Sequence, residues 1–166
     1  MKNFIAIDFE TASAERVSAC SLALVKVADG AISEKHCWLF QPPENKYSPN
    51  NIRIHGITPD MTANLGNIST IHNTIMDLLS GSIVVAHNSN FDMDVLEKSL
   101  SYYGLPVPDI AELYCTEILS GGRRLEDCCA EYHIRYDPHD PLSDAVACAM
   151  LFMRLYRTVY RLRNSE

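Results

Sequence analysis

Short apolar runs dominate the N-terminal part of the chain and predict strands. They span Phe4 to Phe9, Val17 to Val27 and Ala31 to Gln41, and each has the length of a strand. The pair Asp29-Gly30 between the last two runs is typical of a tight hairpin turn. These patterns predict three antiparallel strands at the start of the fold.

Helical periodicity begins after the polar stretch that follows Pro42-Pro43, which predicts a loop as far as Asn51. Thr58-Pro59-Asp60 predicts a helix start with proline at the first helical position. Six further elements are predicted in chain order. The first three are a helical face from Ile68 to Leu79 that stops at Gly81, a buried strand at Ile83 to Ala86 and a helix capped by Asn90 that ends near Gly104. The last three are a strand at Ile110 to Cys115, a helix at Leu125 to His133 and a long helix from Leu142 to about Arg163. A strand meander followed by alternating helices and strands predicts an α/β fold, a mixed sheet flanked by helices, in a single domain of residues 1–166.

Composition places the chain among globular proteins. It has 166 residues, of which 47% are apolar and 21% charged, so it can bury a core without disulfides, and we expect its six cysteines to be buried, reduced thiols. Its apolar runs are far shorter than the roughly 18 residues of a membrane span, and acidic residues interrupt the N-terminal run by position 8. We therefore expect a cytoplasmic protein with no membrane partner. The net charge of −7 argues against a broad duplex-binding surface.

Two carboxylates close the first predicted strand. Asp8 and Glu10 are two residues apart, so they project from the same face, and two adjacent anions are costly unless a cation neutralises them. Asp92 follows the buried strand in the first turn of a helix. Asp94 lies about 200° around that helix, so only one of the two can face a shared site. Taken singly, a solvated strand end and a residue that complements the helix dipole explain these positions as well.

A histidine and a further aspartate precede and begin the last helix. Asp144 lies in its first turn and His139 on the loop before it. A lone loop histidine is usually a solvated bystander, but the four carboxylates together are the hard oxygen ligands that Mg²⁺ or Mn²⁺ requires. A histidine beside them can accept a proton from an attacking water.

Three motifs carry a family resemblance over essentially the whole chain: Asp8-Phe9-Glu10-Thr11, His87-Asn88-x-x-Phe91-Asp92 and His139-x-x-x-x-Asp144. In order and spacing they resemble those of the DnaQ-like DEDDh 3′–5′ exonucleases, which include the proofreading epsilon subunit of bacterial DNA polymerase III, RNase T and oligoribonuclease. The resemblance implies an RNase H-like fold and a two-ion site for Mg²⁺ or Mn²⁺. It assigns Asp8, Glu10 and Asp144 to the first ion, Asp8 and Asp92 to the second, and the role of general base to His139.

The same resemblance suggests residues that contact the substrate. Ile54-His55-Gly56-Ile57-Thr58 is similar to the family's loop over the terminal nucleotide, where His55 would lie near the 3′ end and Ile57 would contact bases. Thr11 and Asn88 are candidates for sugar and phosphate contacts, and Phe91 for an aromatic face. The alternative is that Ile57 and Phe91 are core residues and that His55 caps a loop.

The leading functional hypothesis is a metal-dependent 3′–5′ exonuclease that releases nucleoside 5′-monophosphates from single-stranded 3′ ends, with DNA favoured. An exoribonuclease of the same fold and a non-catalytic nucleic-acid-binding module are the alternatives. The chain ends at Glu166, without the polymerase-binding tail of long proofreading subunits. We therefore expect a freestanding enzyme or one that serves a polymerase or repair partner in trans.

Overall fold

A mixed five-stranded sheet forms the centre of the fold. The structure, a computed structural model, describes residues 2–163, with side chains as far as residue 156. The strands are β1 Phe4–Thr11, β2 Ala19–Ala28, β3 Ala31–Leu39, β4 Ile83–Ala86 and β5 Glu112–Cys115. They are ordered β3-β2-β1-β4-β5, with β2 antiparallel to both β1 and β3, and β4 parallel to both β1 and β5. The predicted meander and mixed sheet are confirmed.

The β2–β3 connection is the predicted hairpin turn. Asp29 and Gly30 have φ angles of 52° and 77°, and positive φ at both central residues is the signature of a type I′ turn. This turn matches the twist of the strands and therefore fixes the register that pairs Ala28 with Ala31.

Helices occupy both faces of the sheet. In the described part of the chain they are α1 Pro49–His55, α2 Pro59–Thr62, α3 His72–Leu79, α4 Ser89–Tyr102, α5 Thr116–Leu119, α6 Leu125–Glu131 and α7 Pro141–Arg163, with short 3₁₀ turns at Pro43–Asn45 and Ile68–Ile71. None of the helices described here has the length and apolar character that crossing a membrane requires. Helix α4 begins one residue before Asn90, so Asn88 and not Asn90 occupies its N-cap position.

Helix α1 corrects the prediction of a loop that reaches Asn51. The helix buries none of its residues, so it shows no apolar periodicity from which it could be predicted. Its ends are marked instead: the Ser48 hydroxyl accepts a 3.2 Å hydrogen bond from the Asn50 N–H, and Gly56 terminates the helix with a φ of 72°.

Alternate residues of β1 divide the core into two layers. Ile5, Ile7 and Phe9 pack with residues of α3 and α4 on one face of the sheet. Phe4 and Ala6 pack on the other face with residues of α7. Asp8 and Glu10 continue the alternation of Phe4 and Ala6, so their side chains also lie on the α7 side of the sheet.

The cysteines are free thiols, but the prediction that all six are buried is wrong for Cys37, which is exposed on the edge strand β3, and for the half-buried Cys115. All six lack a disulfide, and Cys20, Cys128, Cys129 and Cys148 are buried. These four behave as small apolar core residues.

Candidate active site

Asp8 and Glu10 project from the same face of β1, towards the start of α7. Across the ladder they face Ala23 and Ser21 of β2. Both of these residues are small and fully buried, so the neighbouring strand leaves room for the two carboxylates. The sequence prediction that they lie side by side at the strand end is consistent with this register.

Asp92 reaches the same strand from the first turn of α4. Its Oδ1 accepts a 2.9 Å hydrogen bond from the Phe9 N–H, between Asp8 and Glu10 in sequence, and the residue is only 4% exposed. Asp94 instead forms ion pairs with Arg16 at 3.3 Å and Lys98 at 2.9 Å. As the helical spacing predicted, Asp92 and not Asp94 lines the cleft that Asp8 and Asp144 also line.

A tight turn over residues 137–140 presents His139 beside Asp144. The Asp140 N–H donates a 3.3 Å hydrogen bond to the Asp137 carbonyl, and His139 has a φ of 64°. This conformation is uncommon for a non-glycine residue, although histidine is among those that tolerate it best. The turn is held from α7, because Asp140 Oδ1 accepts 2.7 Å from the Ser143 N–H and Asp144 Oδ2 accepts 3.2 Å from the His139 N–H.

The predicted catalytic residues meet in one place. Ligand atoms of Glu10, His139 and Asp144 all lie within 4.8 Å of one another. Asp8, Asp92, His139 and Asp144 line a cleft of about 390 Å³. This volume is within the range of ligand pockets, roughly 300–1,000 Å³.

Burial raises the pKa values of all four carboxyl groups, and repulsion from neighbouring carboxylates adds to the increase. Burial is the largest cause for each, and it raises the pKa of Glu10 to about 8, of Asp92 to about 7 and of Asp144 to about 6. The pKa of Asp8 is raised well above its usual range by burial and then by the neighbouring Asp92 and Asp144. For Asp92 the hydrogen bond from Phe9 offsets part of the increase. Bringing cations into the cluster would reverse these shifts, since an adjacent positive charge favours the ionised form.

The donor set fits divalent cations that prefer oxygen ligands. Asp8 Oδ2 and Asp144 Oδ1 are buried and lack a hydrogen-bond partner among the described residues. Buried carboxylate oxygens are ordinarily paired, so two orphaned oxygens in a cluster of anions call for a cation. Oxygen-rich sites of this kind suit Mg²⁺ or Mn²⁺.

Two of the predicted substrate-binding residues line the cleft. Asn88 is exposed at the start of α4, and Phe91 is half-buried with its ring beneath Arg16. Thr11 is 5% exposed, and its carbonyl accepts hydrogen bonds from Asn51 Nδ2 at 2.8 Å and from the ring of His55.

The loop predicted to cover the terminal nucleotide is tightly packed. Both ring nitrogens of His55 contact backbone: Nε2 lies 3.1 Å from the Thr11 carbonyl, and Nδ1 accepts 3.0 Å from the Ile57 N–H. Ile57 is 4% exposed and packs with Ala12 and Cys20. In this structure His55 therefore caps the loop and Ile57 is a core residue, and their contacts with substrate stay predictions.

Tyr136 and His87 are polar residues of the cleft to which the sequence motifs assign no role. Tyr136 lines the cleft, and its hydrogen bonding to Asp144 opposes the rise in the pKa of that carboxyl group. His87 also lines the cleft, with Nδ1 2.9 Å from the Thr116 hydroxyl. His87 stands inside a quoted motif, whereas no periodicity or motif marks Tyr136.

The comparisons with known proteins agree with this geometry. The sequence profile of the RNase T exonuclease family matches residues 5–152. The chain belongs to this exonuclease family. The chain is 27% identical to the 3′–5′ exonuclease DinG of Bacillus subtilis (strain 168), over 97% of this chain and 18% of DinG. The predicted family resemblance and enzyme class are confirmed at this level.

Solved structures of exonucleases share the fold of this chain. Exonuclease X in complex with 5′-overhanging duplex DNA superposes with a TM-score of 0.72 at 24% identity, covering 93% of this chain and 92% of that one. A 3′-exonuclease that recognises the histone mRNA stem-loop superposes with a TM-score of 0.80 at 18% identity, covering 94% and 82%. The predicted α/β, RNase H-like fold is therefore confirmed.

The curated relatives are much longer than this chain of 166 residues. The chain spans 18% of the length of DinG and 11% of that of the PolC-type DNA polymerase III of Halalkalibacterium halodurans. The likeness therefore concerns a small part of each relative.

Proposed function

We propose that this chain is a divalent-metal-dependent 3′–5′ exonuclease that removes nucleoside 5′-monophosphates from the 3′ ends of single strands. The observation that supports it best is the cluster of four carboxylates and one histidine: Asp8, Asp92, Asp144 and His139 line one cleft, and Glu10 lies within 4.8 Å of the ligand atoms of His139 and Asp144. The 3′–5′ direction is also that of the relative named 3′–5′ exonuclease DinG.

The carboxylates are proposed to hold two ions of Mg²⁺ or Mn²⁺. Asp8, Glu10 and Asp144 would hold one, and Asp8 with Asp92 the other. Bound ions of this kind lower the pKa of water and neutralise charge on the transferring phosphoryl group. The raised pKa values of these carboxyl groups mean that the protein binds metal in exchange for protons.

His139 is proposed as the general base. Its ring is exposed on the 137–140 turn and close to Glu10 and Asp144, so a ring nitrogen can accept the proton of a water that attacks phosphorus. The hydrogen bond from its backbone N–H to Asp144 holds the turn while leaving the imidazole to the cleft. Asn88 offers a side-chain amide that can donate to a phosphate or sugar oxygen of the bound strand.

DNA is the substrate that we favour, because PolC-type DNA polymerases III are among the relatives. A polymerase or repair protein acting in trans is the partner we propose for the same reason. Residues 1–166 are proposed to form one exonuclease domain, and its location in the cytoplasm stays a prediction.

Product analysis tests the reaction itself. The wild type and an Asp144→Asn variant are incubated with a single-stranded oligonucleotide in Mn²⁺, and the products are separated by chromatography. Nucleoside 5′-monophosphates from the wild type, with none from the variant, support the proposal. Nucleoside 3′-monophosphates, or internal fragments as the first products, would contradict it.

A further inference from the structure

A second cleft continues the catalytic cleft past Phe91. It measures about 510 Å³ and shares Asn88 and Phe91 with the catalytic cleft, so the two form one groove along the start of α4. Arg16, from the loop between β1 and β2, lines this second part. None of the three motifs includes Arg16.

Arg16 is held in a fixed orientation. Its guanidinium carbon lies over the Phe91 ring, 4.2 Å from the ring centroid, in a cation–π contact. Its Nε lies 3.3 Å from Asp94 Oδ2, and its backbone carbonyl accepts a 3.3 Å hydrogen bond from the buried Ser99 hydroxyl. The loop is therefore anchored to α4 at both the main chain and the side chain.

The two terminal nitrogens of this guanidinium are available as hydrogen-bond donors. Among the described residues, the one ion pair of Arg16 uses Nε, and no hydrogen bond involves its two terminal nitrogens. Asp94 is also paired with Lys98 at 2.9 Å, so its charge is shared between two cations. By contrast Arg124, which lines the catalytic cleft, already donates from Nε and one terminal nitrogen to Asp127 and Glu126.

A preorganised fork with unused N–H groups suits a phosphate. The planar guanidinium matches two phosphate oxygens, and stacking on Phe91 reduces the conformational entropy lost on binding. The chain carries a net charge of −7, and the scissile phosphate lies with the carboxylate cluster, so a strand in this groove needs a cation away from that cluster. Arg16 is the cation that the structure places there.

We propose that Arg16, clamped between Phe91 and Asp94, binds a non-scissile phosphate of the substrate strand. This inference rests on the proposed exonuclease function and adds to it a subsite that only a strand with more than one phosphate can fill. Arg16 thereby favours oligonucleotides over substrates that carry a single phosphodiester.

The test compares two substrates in three proteins. The substrates are a single-stranded oligonucleotide and the p-nitrophenyl ester of thymidine 5′-monophosphate, which has one phosphodiester. The proteins are the wild type, Arg16→Gln and Lys26→Gln, and the last removes a charge that pairs with Glu34 on the meander, outside the groove. We expect Arg16→Gln to lower the ratio of oligonucleotide to ester kcat/KM roughly tenfold, the loss typical of a charge-assisted contact. The ratio for Lys26→Gln should match the wild type.

The possible results separate this inference from the function on which it rests. An unchanged ratio in Arg16→Gln, whether both activities fall together or neither falls, would overturn the role of Arg16 and leave the exonuclease assignment intact. Failure of the wild type to cleave either substrate would refute the proposed function instead. Fluorescence anisotropy of the oligonucleotide in Ca²⁺ then still reads the contact, because Arg16→Gln should bind it more weakly and with a salt dependence lower by about 0.7 in log–log slope. Equal binding by the two proteins would overturn the inference.

Discussion

Neutralising one carboxylate of the cluster should stabilise the metal-free protein. Glu10→Gln keeps the size and shape of the side chain and removes its charge. In the folded protein the pKa of Glu10 is raised from 4.5 to about 8, by burial and then by Asp144 and Asp92. The ionised form is therefore less stable in the fold than in the unfolded chain, and the variant is free of that cost.

The sign and size of the effect follow from proton linkage. Between pH 4.5 and about 8 the folded protein retains a proton on Glu10 that the unfolded chain has released. Stability therefore falls as pH rises through this window, by about 1.4 kcal/mol per pH unit, or about 3 kcal/mol at pH 7. The raised pKa values of Asp92 and Asp144, about 7 and about 6, add losses of the same sign at lower pH.

Urea unfolding in EDTA measures this effect. From about pH 5 to about pH 8 the wild type should lose stability, and Glu10→Gln should lose about 3 kcal/mol less by pH 7. Glu97→Gln, at an exposed residue of α4, is the control and should follow the wild type. Adding Mg²⁺ should restore stability to the wild type and much less to Glu10→Gln. A variant that is less stable than the wild type at both pH values, with the same pH slope, would refute the argument from crowded carboxylates.

Three further predictions concern the catalytic groups. Asp144→Ala should lower kcat by more than about a thousandfold without lowering the melting temperature in EDTA, and full activity by a steady-state assay would exclude Asp144 as a metal ligand. His139→Ala should lower kcat by about 10²-fold or more while metal binding persists, since a general base is missing; a variant with the kcat of the wild type would remove that role. Asp140→Ala removes the cap that holds the His139 turn, so unfolding free energy should fall by about 1 kcal/mol and kcat should fall while KM stays the same; a normal kcat would show that the turn keeps its shape without the cap.

The sequence predicts an element well where burial imposes a regular pattern. Strand β4 is wholly apolar because Val84 packs in one core layer and Val85 in the other, and its predicted bounds, Ile83 to Ala86, are those observed. Helix α1 is the opposite case, since it buries no residue and was predicted as loop. Short helix α5, Thr116–Leu119, was missed because one turn is too short to show periodicity.

The catalytic residues could be predicted because they stand at the ends of predictable elements. Asp8 lies in the second half of β1, while Asp92 and Asp144 lie in the first turns of helices, and the family resemblance of the three motifs predicts that they share a site. Arg16 and Tyr136 lie on loops, and no local pattern reports that they reach the groove. Their positions depend on tertiary contacts, such as the bond from Ser99 that fixes the Arg16 loop to α4.

A time course on end-labelled strands tests the central claim most directly. Single-stranded DNA and RNA of equal sequence, each labelled at the 5′ end, are incubated with the full chain in Mg²⁺, Mn²⁺ or EDTA and resolved on a gel. The account predicts a descending ladder with either metal ion that EDTA abolishes, with the DNA ladder faster than the RNA ladder. A faster RNA ladder would make RNA, and not DNA, the favoured substrate. Intact strands in both metal ions, from protein that is folded by circular dichroism, would contradict the exonuclease assignment and favour a module that binds strands without cleaving them.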